Sequence, residues 1–139
     1  MLNTEHVAPV AEEKAKPYLQ APAGLPLEQH SLNIMLELYH QKKISLEKIV
    51  EKMCHAPADC FRVYERGYVR EGYHADLALF DITTKWTVAP DNILYKCGWS
   101  PLEGQEFTGK VQKTFVNGNL VYTEGKFNER IKGHRLEFK

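Results

Sequence analysis

The sequence predicts an α+β chain, and three observations indicate it. Residues 1–30 are rich in proline and contain no apolar period of useful length, so they are expected to form loop. Between residues 31 and 57 the apolar side chains recur at helical spacing. After residue 62 the pattern changes to short β-rich runs that are separated by turn residues.

Two short antiparallel helices are expected in the middle of the chain. The first covers "QHSLNIMLELYHQ", in which one apolar stripe consists of Leu32, Met35, Leu36 and Tyr39. The second begins after Ser45, a good N-cap, and carries Glu47 in the first turn, where the helix dipole favours negative charge. Its stripe consists of Leu46, Ile49, Val50 and Met53. Pro57 is expected to lie just past its end.

Several short strands are expected after the helices. "ADLALFD" (75–81) and "KWTV" (85–88) are two candidates, and Asp76 can cap a turn through its side chain. The clearest signal is "KTFVNGNLVY", which predicts a hairpin with strands near 111–116 and 119–123. Its turn is Asn117-Gly118, because this pair tolerates the positive φ angles of a type I′ turn. The polar tail after residue 127 is expected to be loosely held.

Composition excludes several classes of partner. The 139 residues are 43% hydrophobic and 26% charged with zero formal net charge, so neither nucleic acid nor a membrane is an expected partner. No apolar run is long enough to span a bilayer, and no signal peptide is recognised. Cys54, Cys60 and Cys97 lack CxxC spacing, which favours reduced thiols and a cytoplasmic location. We expect Cys54 and Cys60 to be buried small side chains.

Several motifs together resemble a known family. "RGYVREGYHADLALFD" (66–81) is similar to the strand-turn-strand unit that follows the barrel in amidohydrolase-superfamily enzymes, and "FVNGNLVYTEGKF" is similar to that unit's terminal hairpin. "HAPADCF" (55–61) resembles a short helix that follows the last barrel helix. Within the superfamily, residues 21–32, 43–58 and 92–107 resemble the C-terminal portion of bacterial dihydroorotases. With "TEHVAPVAEEK" included, the resemblance covers essentially the whole chain.

The resemblance implies a fold and a division into domains. The fold is α/β, the C-terminal part of a (β/α)8 TIM barrel with half of a small adjoining β-sandwich; by itself the chain would be α+β. Residues 1–62 would supply the end of the eighth strand, a substrate loop and the terminal helices. Residues 63–139 would supply the C-terminal strands of the small β domain.

The resemblance also implies a chemistry. Dihydroorotases are zinc amidohydrolases of pyrimidine biosynthesis that interconvert dihydroorotate and N-carbamoyl-aspartate. A metal-bound hydroxide attacks the cyclic amide, and an aspartate on the eighth strand carries the proton to the leaving nitrogen. Glu5 stands at the position of that aspartate, as catalytic carboxylate and as a metal ligand in an assembled barrel. Glutamate is one methylene longer, and the second histidine of the family motif is absent, since Pro9 or Val10 stands there.

The other candidate site residues lie in "APAGLP" (21–26). By resemblance this loop closes over the substrate ring, which would bind to the backbone around Ala23 and Gly24. The alternative for the loop is a Pro/Gly turn before a helix, and the alternative for Glu5 is an exposed terminal residue. We expect surface or packing roles rather than metal binding for His30, His40 and His74. Trp99 is expected to anchor its loop.

The segments that carry the other metal ligands in the family have no counterpart in this sequence. We therefore expect no zinc and no catalysis from the chain alone, as for a truncated gene product, an expressed fragment or one half of a split enzyme. A complementing N-terminal chain or a homo-oligomer would be its partner, and dihydroorotate its substrate in the complete enzyme. Two alternatives are a non-catalytic binding or scaffold subunit and an independent α+β domain. In a fragment, a large apolar patch would be exposed, formed by Leu32, Met35, Leu36, Leu46, Ile49 and Val50.

Overall fold

The computed structural model describes residues 9–139. The helices are α1 (Ala11–Lys14), α2 (Ser31–His40), α3 (Leu46–Val50) and α4 (Ala56–Cys60). The strands are β1 (Leu77–Thr87), β2 (Glu106–Val116), β3 (Asn119–Thr123) and β4 (Lys126–Phe127). Short 3₁₀ turns cover Glu28–His30 and Pro90–Asn92. Helices and a sheet together confirm the α+β prediction, and within residues 9–139 no helix is long and apolar enough to cross a membrane.

The second predicted helix is longer than expected. It begins as predicted, because the hydroxyl of Ser45 accepts the N–H of Lys48 at 3.2 Å. After α3 the backbone widens into a π-helical turn, Glu51–His55, and continues as α4 to Cys60. The N–H of Ala56 bonds the carbonyl of Glu51, and Pro57 then follows with no N–H to donate. The prediction that the helix ends before Pro57 is therefore wrong.

The four strands form one antiparallel sheet in the order β1-β2-β3-β4. The two predicted strands 75–81 and 85–88 form one strand, β1. This strand contains a bulge, because Asp81 pairs with Lys110 and Lys85 pairs with Thr108, so that four residues along β1 lie opposite two along β2. Asp81 shapes this bulge, because its carboxylate accepts the N–H and the hydroxyl of Thr83, both at 2.6 Å. These hydrogen bonds lower the pKa of Asp81 to about 2, and the bond from the Thr83 hydroxyl contributes most.

The predicted hairpin is confirmed. β2 ends at Val116 and β3 begins at Asn119, while Asn117 and Gly118 have φ angles of 50° and 78°. β2 begins earlier than predicted, at Glu106, because its first residues pair with the end of β1. Residues 66–76, taken from the sequence as part of a strand-turn-strand unit, form turns and loop instead.

The core lies between α2 and β2. Leu36 and Phe107 are fully buried, and Met35, Ile49 and Val88 are nearly so. β2 approaches α2 closely at Gly109, where a Cβ atom would lie 2.6 Å from Cδ1 of Leu36. The prediction of a large exposed apolar patch is therefore wrong in part. The chain's own elements bury Met35, Leu36 and Ile49 and cover part of Leu32 and Leu46, whereas Val50 is exposed.

Two further expectations are corrected at the surface. The end of the chain is held, because the N–H of Tyr64 bonds the carbonyl of Glu137 at 2.8 Å and the N–H of Lys139 bonds the carbonyl of Arg62 at 2.9 Å. Cys54 and Cys60 are exposed rather than buried, since they lie on the outer side of the π turn and of α4. The three cysteines are free thiols, as predicted.

Candidate functional site

The loop 21–26 is exposed at its centre and fixed at both ends. Ala23 is exposed, and Gly24 has a φ of 95°, a conformation that a side chain would strain. Before this centre, the ammonium of Lys14 donates to the carbonyl of Pro22 at 3.0 Å. After it, Pro26 is fully buried. The loop therefore presents backbone groups to the outside from a held frame.

The exit from this loop is hydrogen-bonded to the segment that follows β1. The side chain of Gln29 donates to the carbonyl of Asn92 at 2.8 Å and accepts the N–H of Leu94 at 2.9 Å. The N–H of Gln29 also donates to the hydroxyl of Tyr95 at 2.8 Å. Gln29 thus joins the end of the loop to the segment 92–95, between β1 and β2.

His30 lies beside this connection and is fully buried. Its ring stacks near Trp86 and Phe107, with centroids 6.0 and 6.1 Å away, and its Nδ1 lies 3.4 Å from the hydroxyl of Tyr95. Within residues 9–139 its Nε2 has no hydrogen-bond partner. Burial lowers the pKa of His30, so the neutral ring is favoured. His30 is a packing residue, one of the two roles expected for it.

Glu5 lies outside the described residues, and its role stays a prediction. The nearest described point is Pro9, which is buried and whose carbonyl accepts the indole N–H of Trp99 at 2.8 Å. Trp99 therefore anchors its segment to Pro9, in the middle of "TEHVAPVAEEK" (4–14). This contact brings residues 9 and 99 together, although no local sequence signal links them.

The described residues do not provide a zinc site. Across residues 9–139 no three His, Cys, Asp or Glu side chains converge in a way that could hold a metal ion. His40 and His74, which were not expected to bind metal, are exposed. A catalytic zinc needs about three protein ligands, so residues 9–139 would not hold one by themselves.

A separate groove of about 500 Å³ lies between the sheet and the start of α2. Its apolar walls include Trp86, Val111 and Phe127, and Gln29 and Asn33 also line it. Ala23 and Gly24 are not part of the lining. The exposed loop and this groove are therefore two different features, and Gln29, three residues after the loop, lines the groove.

Comparison with known proteins identifies related sequences. Residues 23–121 match the profile of the amidohydrolase family. The chain is 31% identical to the dihydroorotase of Pyrococcus furiosus over 138 residues, which cover 96% of this chain and 33% of that protein. It is 34% identical to the dihydroorotase of Anaplasma phagocytophilum over 119 residues, 86% of this chain and 26% of that protein. The chain spans about a third or less of the length of these curated relatives.

The solved structures that resemble this chain include two hydantoinases. The L-hydantoinase of Arthrobacter aurescens is 31% identical with a TM-score of 0.74, over 84% of this chain and 26% of that one. The D-hydantoinase of a Thermus species shows the fold at 20% identity, with a TM-score of 0.79 over 90% of this chain and 28% of that one. The profile covers well over half of the sequence, and the structural likeness extends over most of it. This chain belongs to the amidohydrolase family.

Proposed function

We propose that this chain supplies the substrate-closing part of a dihydroorotase-type amidohydrolase, which opens the cyclic amide of dihydroorotate to give N-carbamoyl-aspartate. The observation that carries the proposal is the loop 21–26, held at both ends and exposed at Ala23, in a chain similar to dihydroorotases over almost its whole length. An exposed glycine-containing backbone is suited to bind a small polar ring, because amide groups can approach it without steric hindrance.

Each candidate residue then has a distinct role. The backbone groups of Ala23 and Gly24 bind the polar edge of the ring and hold it in place. Glu5 accepts a proton from the attacking nucleophile and delivers it to the nitrogen that leaves when the amide bond breaks. The metal ligands belong to strands that a complementing N-terminal segment would supply, so that segment is the proposed partner.

A non-catalytic role as a binding or scaffold subunit is the second candidate. It is favoured by an apolar row across three strands, in which Leu77 pairs with Phe115 and Phe115 pairs with Leu120. Leu77 is 40% exposed and Leu120 is 37% exposed, so this row is available to another protein surface. A scaffold subunit would need this row but would not need Glu5.

A chimera distinguishes the two candidates. The third of the Pyrococcus furiosus dihydroorotase that matches this chain is replaced by the chain, and dihydroorotate hydrolysis is measured with zinc present. Catalysis above that of the Glu5→Gln chimera supports the enzymatic role. A folded, zinc-loaded chimera with no such difference would contradict it and favour the scaffold role. Hydantoin as a second substrate tests whether the preference is for the dihydroorotate ring.

A further inference from the structure

We propose that Gln29 is a positioning residue, which fixes the backbone of the loop 21–26 by tying its exit to the segment 92–95. The inference rests on the proposed function, because it assigns a role to Gln29 in the binding of the same ring. Gln29 would not touch the substrate. It would act through the peptide groups of Ala23 and Gly24.

The side-chain amide of Gln29 bonds two backbone groups of the segment 92–95. Its Nε2 donates to the carbonyl of Asn92 and its Oε1 accepts the N–H of Leu94, at 2.8 and 2.9 Å. These two partners lie two residues apart on one stretch of backbone. Both bonds lie well inside the range of good hydrogen bonds, so the side chain is held in one orientation.

The segment that receives Gln29 is itself rigid. The side chain of Asn92 donates to the carbonyl of Thr87 at 2.9 Å and accepts the N–H of Ala89 at 3.1 Å. Between them lies Val88, which is only 1% exposed and whose N–H bonds the carbonyl of Gln105 at 2.9 Å. Gln29 is therefore tied, through Asn92, to the end of β1 and to the core.

Little freedom remains between Gln29 and the loop. Pro26 lies between them, fully buried and with φ fixed by its ring, so Pro26 and Gln29 together restrain the exit of the loop. At the other end Lys14 holds the carbonyl of Pro22. Loss of the Gln29 bonds would weaken the restraint at the exit and leave the core between α2 and β2 intact. The expected consequence is weaker ring binding rather than unfolding.

The first experiment measures backbone NMR order parameters in the full chain. In Gln29→Ala the order parameters of the N–H groups of residues 23–25 should fall, from about 0.85 to below about 0.6, because the exit of the loop loses two hydrogen bonds. Ser31→Ala is the matched control, since it removes only an exposed bond to the carbonyl of Glu28. Gln29→Glu keeps the acceptor for Leu94 but places a carboxylate oxygen against the carbonyl of Asn92, so its order parameters should fall as well.

The second experiment measures turnover in the active chimera described above. Gln29→Ala should raise KM about tenfold and change kcat by less than threefold, because the loop binds the ring in the ground state and the transition state alike. The Ser31→Ala chimera should match the wild type. A role in stability alone would change the melting temperature and leave KM unaltered.

The outcomes separate this inference from the proposed function. Unchanged order parameters at residues 23–25 in Gln29→Ala, or lower ones with KM unaltered, would overturn the positioning role. A chimera without turnover would contradict the proposed function, and the NMR experiment would still decide whether Gln29 fixes the loop. If Gln29→Ala does not fold, Gln29→Glu decides in its place by the same two measurements.

Discussion

The carboxylate of Asp76 accepts the backbone N–H of Asn117 at 2.8 Å, and so joins the loop before β1 to the turn of the hairpin. The other carboxylate oxygen of Asp76 accepts from the guanidinium of Arg66, which also donates to the side chain of Asn117 at 2.7 Å. The side chain of Arg66 is only 10% exposed, so its charge is largely removed from water. The three residues form one cluster that fixes the hairpin turn.

Replacement of Asp76 should therefore be costly. Asp76→Ala leaves the buried guanidinium of Arg66 without its carboxylate and removes the acceptor of Asn117. We expect a loss of about 2 kcal/mol in the free energy of unfolding, measured by urea denaturation. The control is Glu71→Ala, an exposed acidic residue in the same loop. Equal stability of the two variants would contradict a stabilising role for the cluster.

Gly109 tests the contact between the sheet and α2. It has a φ of 116°, and a Cβ atom there would lie 2.6 Å from Cδ1 of Leu36. Gly109→Ala should lower the free energy of unfolding by about 2–4 kcal/mol, from backbone strain and overpacking together. Gly104→Ala separates the two causes, because Gly104 has a φ of 83° and open space around it. If both variants lose the same stability, the packing against Leu36 is not tight.

The pH dependence of stability should report on His30. Burial lowers its pKa in the folded chain below the ordinary value of 6.5, so the unfolded chain binds the proton more strongly. The stabilisation by the neutral ring is fully present above pH 6.5 and is lost as the pH falls through the folded pKa, by at most about 1.4 kcal/mol per pH unit. Urea denaturation between pH 8 and pH 5 measures this slope. His30→Phe should flatten it, while the exposed His134→Ala should not; equal slopes in all three proteins would contradict the prediction.

Zinc content tests the expectation that the chain alone lacks a ligand set. After dialysis at neutral pH, we expect elemental analysis to find less than stoichiometric zinc, because a stable site needs about three protein ligands. The active chimera should hold zinc under the same conditions. One or two zinc ions per isolated chain would contradict this expectation.

Local signals in the sequence predicted the local structure well. Asn117-Gly118 requires positive φ angles in a hairpin, and Ser45 is a residue that caps helices, so both elements formed where they were expected. The continuation of the second helix through Pro57 was not predictable in this way. The π turn ends at His55, and Pro57 then stands in the first turn of α4, where a proline is tolerated.

Long-range contacts explain the remaining differences. The burial of His30 depends on Trp86 and Phe107, and the role of Gln29 depends on carbonyl and N–H groups near residue 93. A polar side chain such as glutamine gives no indication of its partner when the two are more than 60 residues apart. The loop 21–26 could be proposed from the resemblance alone, but the anchors at Lys14 and Gln29 could not.

The measurement that tests the central claim most directly is the rate of dihydroorotate hydrolysis by the zinc-loaded chimera with three residues compared at position 5. The chimera with Glu5 should be active, the Glu5→Asp chimera should be at least as fast, and the Glu5→Gln chimera should be slower by about 10² or more, because glutamine cannot carry the proton. If the Glu5→Gln chimera is as fast as the chimera with Glu5, this chain does not supply the catalytic carboxylate of a dihydroorotase-type enzyme.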